Sequence, residues 1–290
     1  MMIGSDTLVL YTEGCLEAQS RCVHAVRYNA DGVLLFFETT PFHPVDHKWP
    51  DQPSDQGEIE IGGDKYDVLN CMIAARESEA SDILVGDEIP VRTGTDGWAF
   101  FVAHEITSAN APETFVGLSA YLRVNEDRRI HLSQSHTACH LAALALNAAA
   151  TEYWKKEFRL DSLGHPDFDQ AAIQSSQIFM NGSTDVYRLG KGMKKKGFNN
   201  VSFLENLPKI QKNIQDYFDK LVALDAEIYI EKSSPKLSDR RVWHAIIDGE
   251  TAAIPCGGTH ASSTGIGDYN IKLIIADEGL VEMNTRRVAD

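Results

Sequence analysis

One stretch constrains the fold of this 290-residue chain more than any other: Ser135-His136-Thr137-Ala138-Cys139-His140-Leu141, leading into an alanine- and leucine-rich run that ends at Ala150. Leu141, Leu144, Ala145 and Ala148 fall at helical spacing and predict one long buried helix. Ser133 or Ser135 is the expected cap, its hydroxyl accepting from free backbone N–H groups. Polarity returns at Trp154-Lys155-Lys156-Glu157. Residues four apart share a helix face, so His136 and His140 can point at one ion.

Upstream the pattern is that of strands. Cys22–Tyr28 and Val33–Phe37 flank the Asp31-Gly32 turn, which predicts a hairpin. Glu58-Ile59-Glu60-Ile61 alternates, turns at Gly62-Gly63 and returns through Tyr66–Leu69. Trp98–Val102 and Phe115–Val124 complete a set of short strands that suggests a small barrel. Between them, three prolines, Pro44, Pro50 and Pro53, break the segment that lies between Pro41 and Gln56. His43 and His47 are four apart there, but on no helix, and are expected to be solvated. Downstream, Gly182–Gly197 reads as turns and Ser202–Asp225 as helix, with Pro208 in its first turn. Glu227–Ile230, Val242–Ile247, Ile271–Ala276 and Leu280–Met283 read as strands. The expectation is an α+β chain: a β-barrel domain over 1–125, then an α+β domain over 126–290 with a mainly antiparallel sheet.

Composition narrows the function classes. A net charge of −15 argues against broad nonspecific binding of nucleic acid, DNA included. Lys191, Lys194, Lys195 and Lys196 are a local exception, either a solvated loop or a phosphate-contacting one. Five scattered cysteines fit a reducing, cytoplasmic setting rather than a disulfide framework. No apolar run is long enough to cross a membrane, and Met1–Leu10 lacks the basic start of a signal peptide.

A second donor pair occurs in Pro255-Cys256-Gly257-Gly258-Thr259-His260, where the glycines disfavour helix and let backbone approach a ligand closely. Imidazole and thiolate are the donors zinc prefers, and four of them satisfy its tetrahedral geometry. Either pair alone is a weak signal. Together His136, His140, Cys256 and His260 predict one shared metal. Cys139 lies about 100° around the helix from His140 and about 60° from His136, and reads as core packing.

His136-Thr137-Ala138-Cys139-His140-Leu141 resembles the HTAxHL motif of the alanyl-tRNA synthetase editing domain, and Cys256-Gly257-Gly258-Thr259-His260 is similar to its CGGTH motif at every position. The free-standing alanyl-tRNA editing proteins share both motifs, and the threonyl-tRNA synthetase editing domain has a looser version. Arg128-Arg129, Thr264-Gly265-Ile266-Gly267 and Arg286-Arg287-Val288 resemble flanking segments of the family. Pro41–Pro44 and Gln52–Ile59 resemble its glycine-bearing barrel segment. Here Val45–Asp51 replaces the glycine run and is three residues longer.

The resemblance implies hydrolysis of the ester in mischarged tRNA(Ala), carrying serine or glycine, at a zinc site. It implies a trans-acting, ATP-independent enzyme of translation fidelity, because no adenylate-forming core is expected. Thr137 and Thr259 are candidates for orienting water or substrate, or for capping local backbone. Gln174 and Ser175, beside Ser176, are candidates for the pocket wall. Arg128, Arg129, Lys191, Lys194, Lys195 and Lys196 are the candidate tRNA contacts. Four donors leave open whether all bind and whether zinc activates water or orders the site. Two other readings stay open: a zinc hydrolase of a small ester or amide without tRNA, and a non-enzymatic protein with structural zinc. Neither the amino acid removed nor the oligomeric state can be read from the sequence.

Overall fold

The computed structural model describes residues 5–288. Residues 1–4 and 289–290, which the expected domain ranges and the reading of the amino terminus include, lie outside the described residues. The chain is α+β, with a six-stranded antiparallel barrel, further sheets and several helices. It divides into two compact units. The first runs to Ile130 and takes in Lys232–Arg241 and Gly257–Thr259; the second holds His131–Glu231, Val242–Cys256 and the chain from His260 on.

The barrel comprises β1 (Glu17–Arg27), β2 (Gly32–Phe37), β3 (Gly57–Ile61), β4 (Asp64–Arg76), β5 (Ala99–Thr107) and β6 (Ser119–Val124). Their order is β3-β6-β1-β2-β5-β4, closed by β3 pairing with β4. Two long strands make the corners. β1 pairs with β6 through Glu17–Arg21 and with β2 from Cys22 on. β4 pairs with β3 up to Val68 and with β5 beyond it. Register shifts at Cys22/His24 and Val68/Asn70 fall at these changes of partner, where a bulge bends a strand and tightens its twist.

Both predicted hairpins form. Asn29 Oδ1 accepts from the N–H groups of Asp31 and Gly32, while Gly62 and Gly63 both take positive φ (66° and 92°), as a type I′ turn needs. Alternate residues face opposite sides of each strand. Leu35, Phe37, Ile59, Ile73, Val102 and Leu122 fill the interior. Leu34, Phe36, Met72, Ala74, Phe101 and Ala103 form a separate apolar cluster on the other face of β2, β5 and β4.

The second unit is organised by α1 (Glu126–Ala150), whose first five residues belong to the barrel unit. The helix starts earlier than expected. Asn125 Oδ1 accepts from the Arg128 N–H, and Glu126 and Asp127 favour the positive end of the helix dipole. Ser133 and Ser135 therefore lie buried inside the helix and not at its cap.

Regular structure runs up to and through Gly182–Gly197, the segment expected to be turns. Phe168–Ala172 forms α2. β7 (Ile173–Phe179) and β8 (Gly182–Arg188) make a hairpin, and Lys191–Lys196 form α3, ended by Gly197 at φ 98°. The expected long helix over 202–225 is two: α4 (Asn200–Glu205) and α5 (Leu207–Ala223), with Pro208 in the first turn of α5.

β9 (Ile228–Lys232), β10 (Arg241–Ile247) and β11 (Glu250–Pro255) form one sheet. β12 (Tyr269–Asp277) and β13 (Leu280–Arg287) join β7 and β8 in the order β7-β8-β13-β12, all antiparallel. The edge strand β12 is covered by α5: Gln215 and Gln211 accept from the N–H groups of Ile271 and Leu273 at 2.8 and 2.9 Å. Those amides would otherwise be an open template for another strand.

Candidate metal centre

α1 holds His136 and His140 one turn apart, and Cys256 follows directly on β11, with His260 four residues later. All four belong to the second unit. One donor atom from each lies within 4.8 Å of every other. Cys256 Sγ is 3.4 Å from His136 Nε2 and 3.3 Å from His260 Nε2. Tetrahedral bonds of ~2.0–2.1 Å to nitrogen and ~2.3 Å to sulfur put neighbouring donors about 3.3 to 3.6 Å apart. The donor set and the two Cys256 distances fit a metal ion.

The surroundings favour a neutral imidazole at His140. Burial pushes His140 down to about 3, leaving it in the form that ligates a metal. Its Nδ1 is buried without a hydrogen-bond partner, and the indole of Trp243 meets its ring edge-on at 5.1 Å. Thr137 ties helix to turn: its Oγ1 accepts from the Ala261 N–H at 3.1 Å and lies 3.3 Å from His260 Nδ1. In the Nδ1–H tautomer His260 donates to this hydroxyl, leaving Nε2 toward Cys256.

Cys139 is not simple core packing. Its thiol donates to Asp185 Oδ1 at 3.4 Å and approaches Ser176 Oγ at 3.8 Å. Ser183 Oγ donates to the same carboxylate at 3.1 Å. Nearby, Tyr187 OH donates to Asp169 Oδ1 at 2.9 Å. Burial, then the charge of Asp185, raises Asp169 to about 7. Asp169, Asp185 and Trp243 were not singled out from the sequence. Asn181-Gly182 beside alternating residues was the signal for the hairpin that carries Asp185, although the turn itself is Met180-Asn181 and Gly182 pairs with Phe179.

The other predicted site residues are dispersed. Thr259 belongs to the barrel unit, where Gln52 clamps it: Gln52 Nε2 donates to Thr259 Oγ1 at 2.8 Å and Oε1 accepts from its N–H at 2.9 Å. Gln174 and Ser175 are exposed, and Gln174 Oε1 accepts from Arg188. Arg128 donates to the Ser54 carbonyl, and Arg129 forms a buried ion pair with Asp55. Both sit inside the first turns of α1. Lys196 reaches the Ala171 carbonyl, while Lys191, Lys194 and Lys195 are exposed on α3.

His43 and His47 are buried, not solvated. Pairing of the segment explains this: the Asp55 N–H donates to the His43 carbonyl while its carboxylate accepts from the His43 N–H, and the Val45 N–H donates to the Cys71 carbonyl. Among the described residues no helix is long and apolar enough to cross a membrane. No family model matches the chain, and no curated protein does.

Proposed function

We propose that this chain is a zinc-dependent hydrolase that deacylates mischarged tRNA(Ala), acting in the cytoplasm. The observation that carries the reading is the convergence of His136, His140, Cys256 and His260 within 4.8 Å. These are the two motifs whose joint occurrence resembles the alanyl-tRNA editing family. Bound at these donors, zinc supplies Lewis-acid chemistry suited to an ester carbonyl. The protein does the rest. Burial keeps His140 neutral, Thr137 fixes the ring of His260, and Gln52 fixes Thr259 by both of its polar groups. Lys191, Lys194 and Lys195 are exposed and offer ammonium groups to phosphate.

The test is release of serine from Ser-tRNA(Ala) with and without a chelator. Undiminished release by the His136→Ala, Cys256→Ala double variant would falsify the proposal. A second reading rests on the donor count. Four protein ligands make a closed set, which is typical of structural zinc, whereas catalytic zinc keeps a position open. Loss of metal that melts the fold, in a protein that turns over no aminoacyl ester, decides for this alternative.

A further inference from the structure

Arg76 ends β4 and is only 6% exposed. Its Nη2 is buried with no hydrogen-bond partner, and among the described residues its guanidinium has no carboxylate or carbonyl acceptor. The group lies over the Phe101 ring, 5.8 Å from the centroid. A buried cation without an acceptor is expensive to maintain. Arg76 lines a groove of about 1040 Å³ on the outer face of the barrel, at the upper end of volumes typical of small-molecule sites.

The groove has the other parts of a binding site. Its floor is apolar, from Val26, Leu34 and Met72. A second buried polar atom without a partner, His47 Nδ1, belongs to a residue of the same lining. The other nitrogen of His47, Nε2, donates to the Val91 carbonyl at 2.7 Å, which leaves Nδ1 as an acceptor in the neutral ring. His24 also lines the groove, and burial first, then the Arg76 charge, lowers its pKa. Arg76 is therefore the cation of this site: Arg27, the other guanidinium, is spent on the carbonyls of Ser108 and Asn110.

We propose that this groove binds a small organic oxyanion, a carboxylate or phosphate monoester on an apolar body, with its charged end paired to Arg76. A planar guanidinium with unused donors matches either group by two parallel hydrogen bonds. The apolar body lies on Val26, Leu34 and Met72, and His47 Nδ1 accepts from a donor on the ligand. Asp46, Glu79, Asp82, Asp87 and Glu88 also line the groove and repel a polyanion such as a nucleic-acid strand. The site is independent of the metal centre and of the proposed reaction.

Titration of the full chain with phenyl phosphate and with phenylacetate, followed by NMR, tests it and separates the two oxyanion sources. Saturable binding of at least one is expected, weakened tenfold or more in Arg76→Gln, with benzyl alcohol much weaker than either. Arg76→Lys, which keeps the charge and loses the planar fork, should fall between wild type and Arg76→Gln, and it carries the test if Arg76→Gln does not fold. The proposal is overturned by equal affinity in the folded Arg76 variants or by benzyl alcohol binding as well as the anions. Absence of saturation by either anion up to about 10 mM, or displacement of phenylacetate by a single-stranded oligonucleotide at equal charge, also overturns it.

Discussion

The chain contains two histidine pairs at the same spacing, and they have opposite fates. His136 and His140 sit on α1, with ring centroids 4.8 Å apart, and His260 lies within 4.2 and 4.6 Å of them. His43 and His47 sit in a proline-broken segment and separate. His43 meets the ring of Tyr11 edge-on at 5.0 Å, while His47 turns to the Val91 carbonyl. Four-residue spacing brings side chains together only where a helix supplies the 100° step. Burial does not distinguish the pairs, since all four imidazoles are shielded from water. Convergence with other donors does.

The largest effect that could break this contrast is on metal content. Zinc should copurify at one ion per chain, and Cys256→Ala or His136→Ala should abolish it, whereas His47→Ala should leave it unchanged. Metal analysis of the three variants measures this. Zinc lost on His47→Ala would erase the distinction. Chelation should also destabilise the protein, because an ion held at a thousand times its dissociation constant contributes about 4 kcal/mol.

Next in size is the device that holds the barrel segment. The Arg129–Asp55 pair is buried, and Asp55 also accepts from the His43 N–H at 2.6 Å. Asp55→Asn leaves the guanidinium without its counter-charge and should cost about 3–5 kcal/mol in urea unfolding. A loss under 1 kcal/mol would mean that His43 is held by its surroundings and not by this carboxylate. On the metal side Thr137→Val should act more mildly. It removes the hydroxyl beside His260 Nδ1 and should weaken zinc about 10- to 100-fold. Competition with a chromogenic chelator reads this directly; unchanged affinity would assign Thr137 to backbone capping alone.

How much of this was legible follows the same divide. The barrel hairpins could be read because Gly62-Gly63 marks a turn whose positive φ few other residues accept, and because Asp31-Gly32 follows Asn29, whose Oδ1 closes the turn. The helix could be read from its apolar run, and the four donors from their chemistry. Its true start at Asn125 was obscured because serines nearer the apolar run offered an equally good hydroxyl. The burial of His43 was not legible, because it depends on Asp55, twelve residues away, and on Arg129, which local pattern does not connect. Lys191–Lys196 reads as loop, with Gly190, Gly192 and Gly197 in and around it, yet Met193 is buried in the second core and anchors a short helix there. Arg129 illustrates the general difficulty: a basic residue in sequence signals phosphate binding until its buried partner is known.

The smallest effect concerns pH, and here the two regions oppose each other. Burial lowers His43 to about 4. Between that value and the unfolded value near 6.5, the unfolded chain binds a proton that the folded chain refuses, so stability rises with pH. Asp169 is the reverse. Its carboxyl is raised to about 7, so between about 4 and 7 the folded chain keeps a proton that the unfolded chain has released, and stability falls as pH rises. Each group contributes at most about 1.4 kcal/mol per pH unit. His104, lowered by burial to about 4, adds to the rising limb. Urea midpoints at pH values across this window should therefore move in opposite directions on mutation: His43→Gln flattens the rise toward neutral pH, and Asp169→Asn steepens it. Asparagine can still accept from Tyr187 OH, so a change in slope isolates the proton from the hydrogen bond. Parallel curves for wild type and Asp169→Asn would mean that Asp169 is ionised in the fold throughout, with Tyr187 carrying the stabilisation.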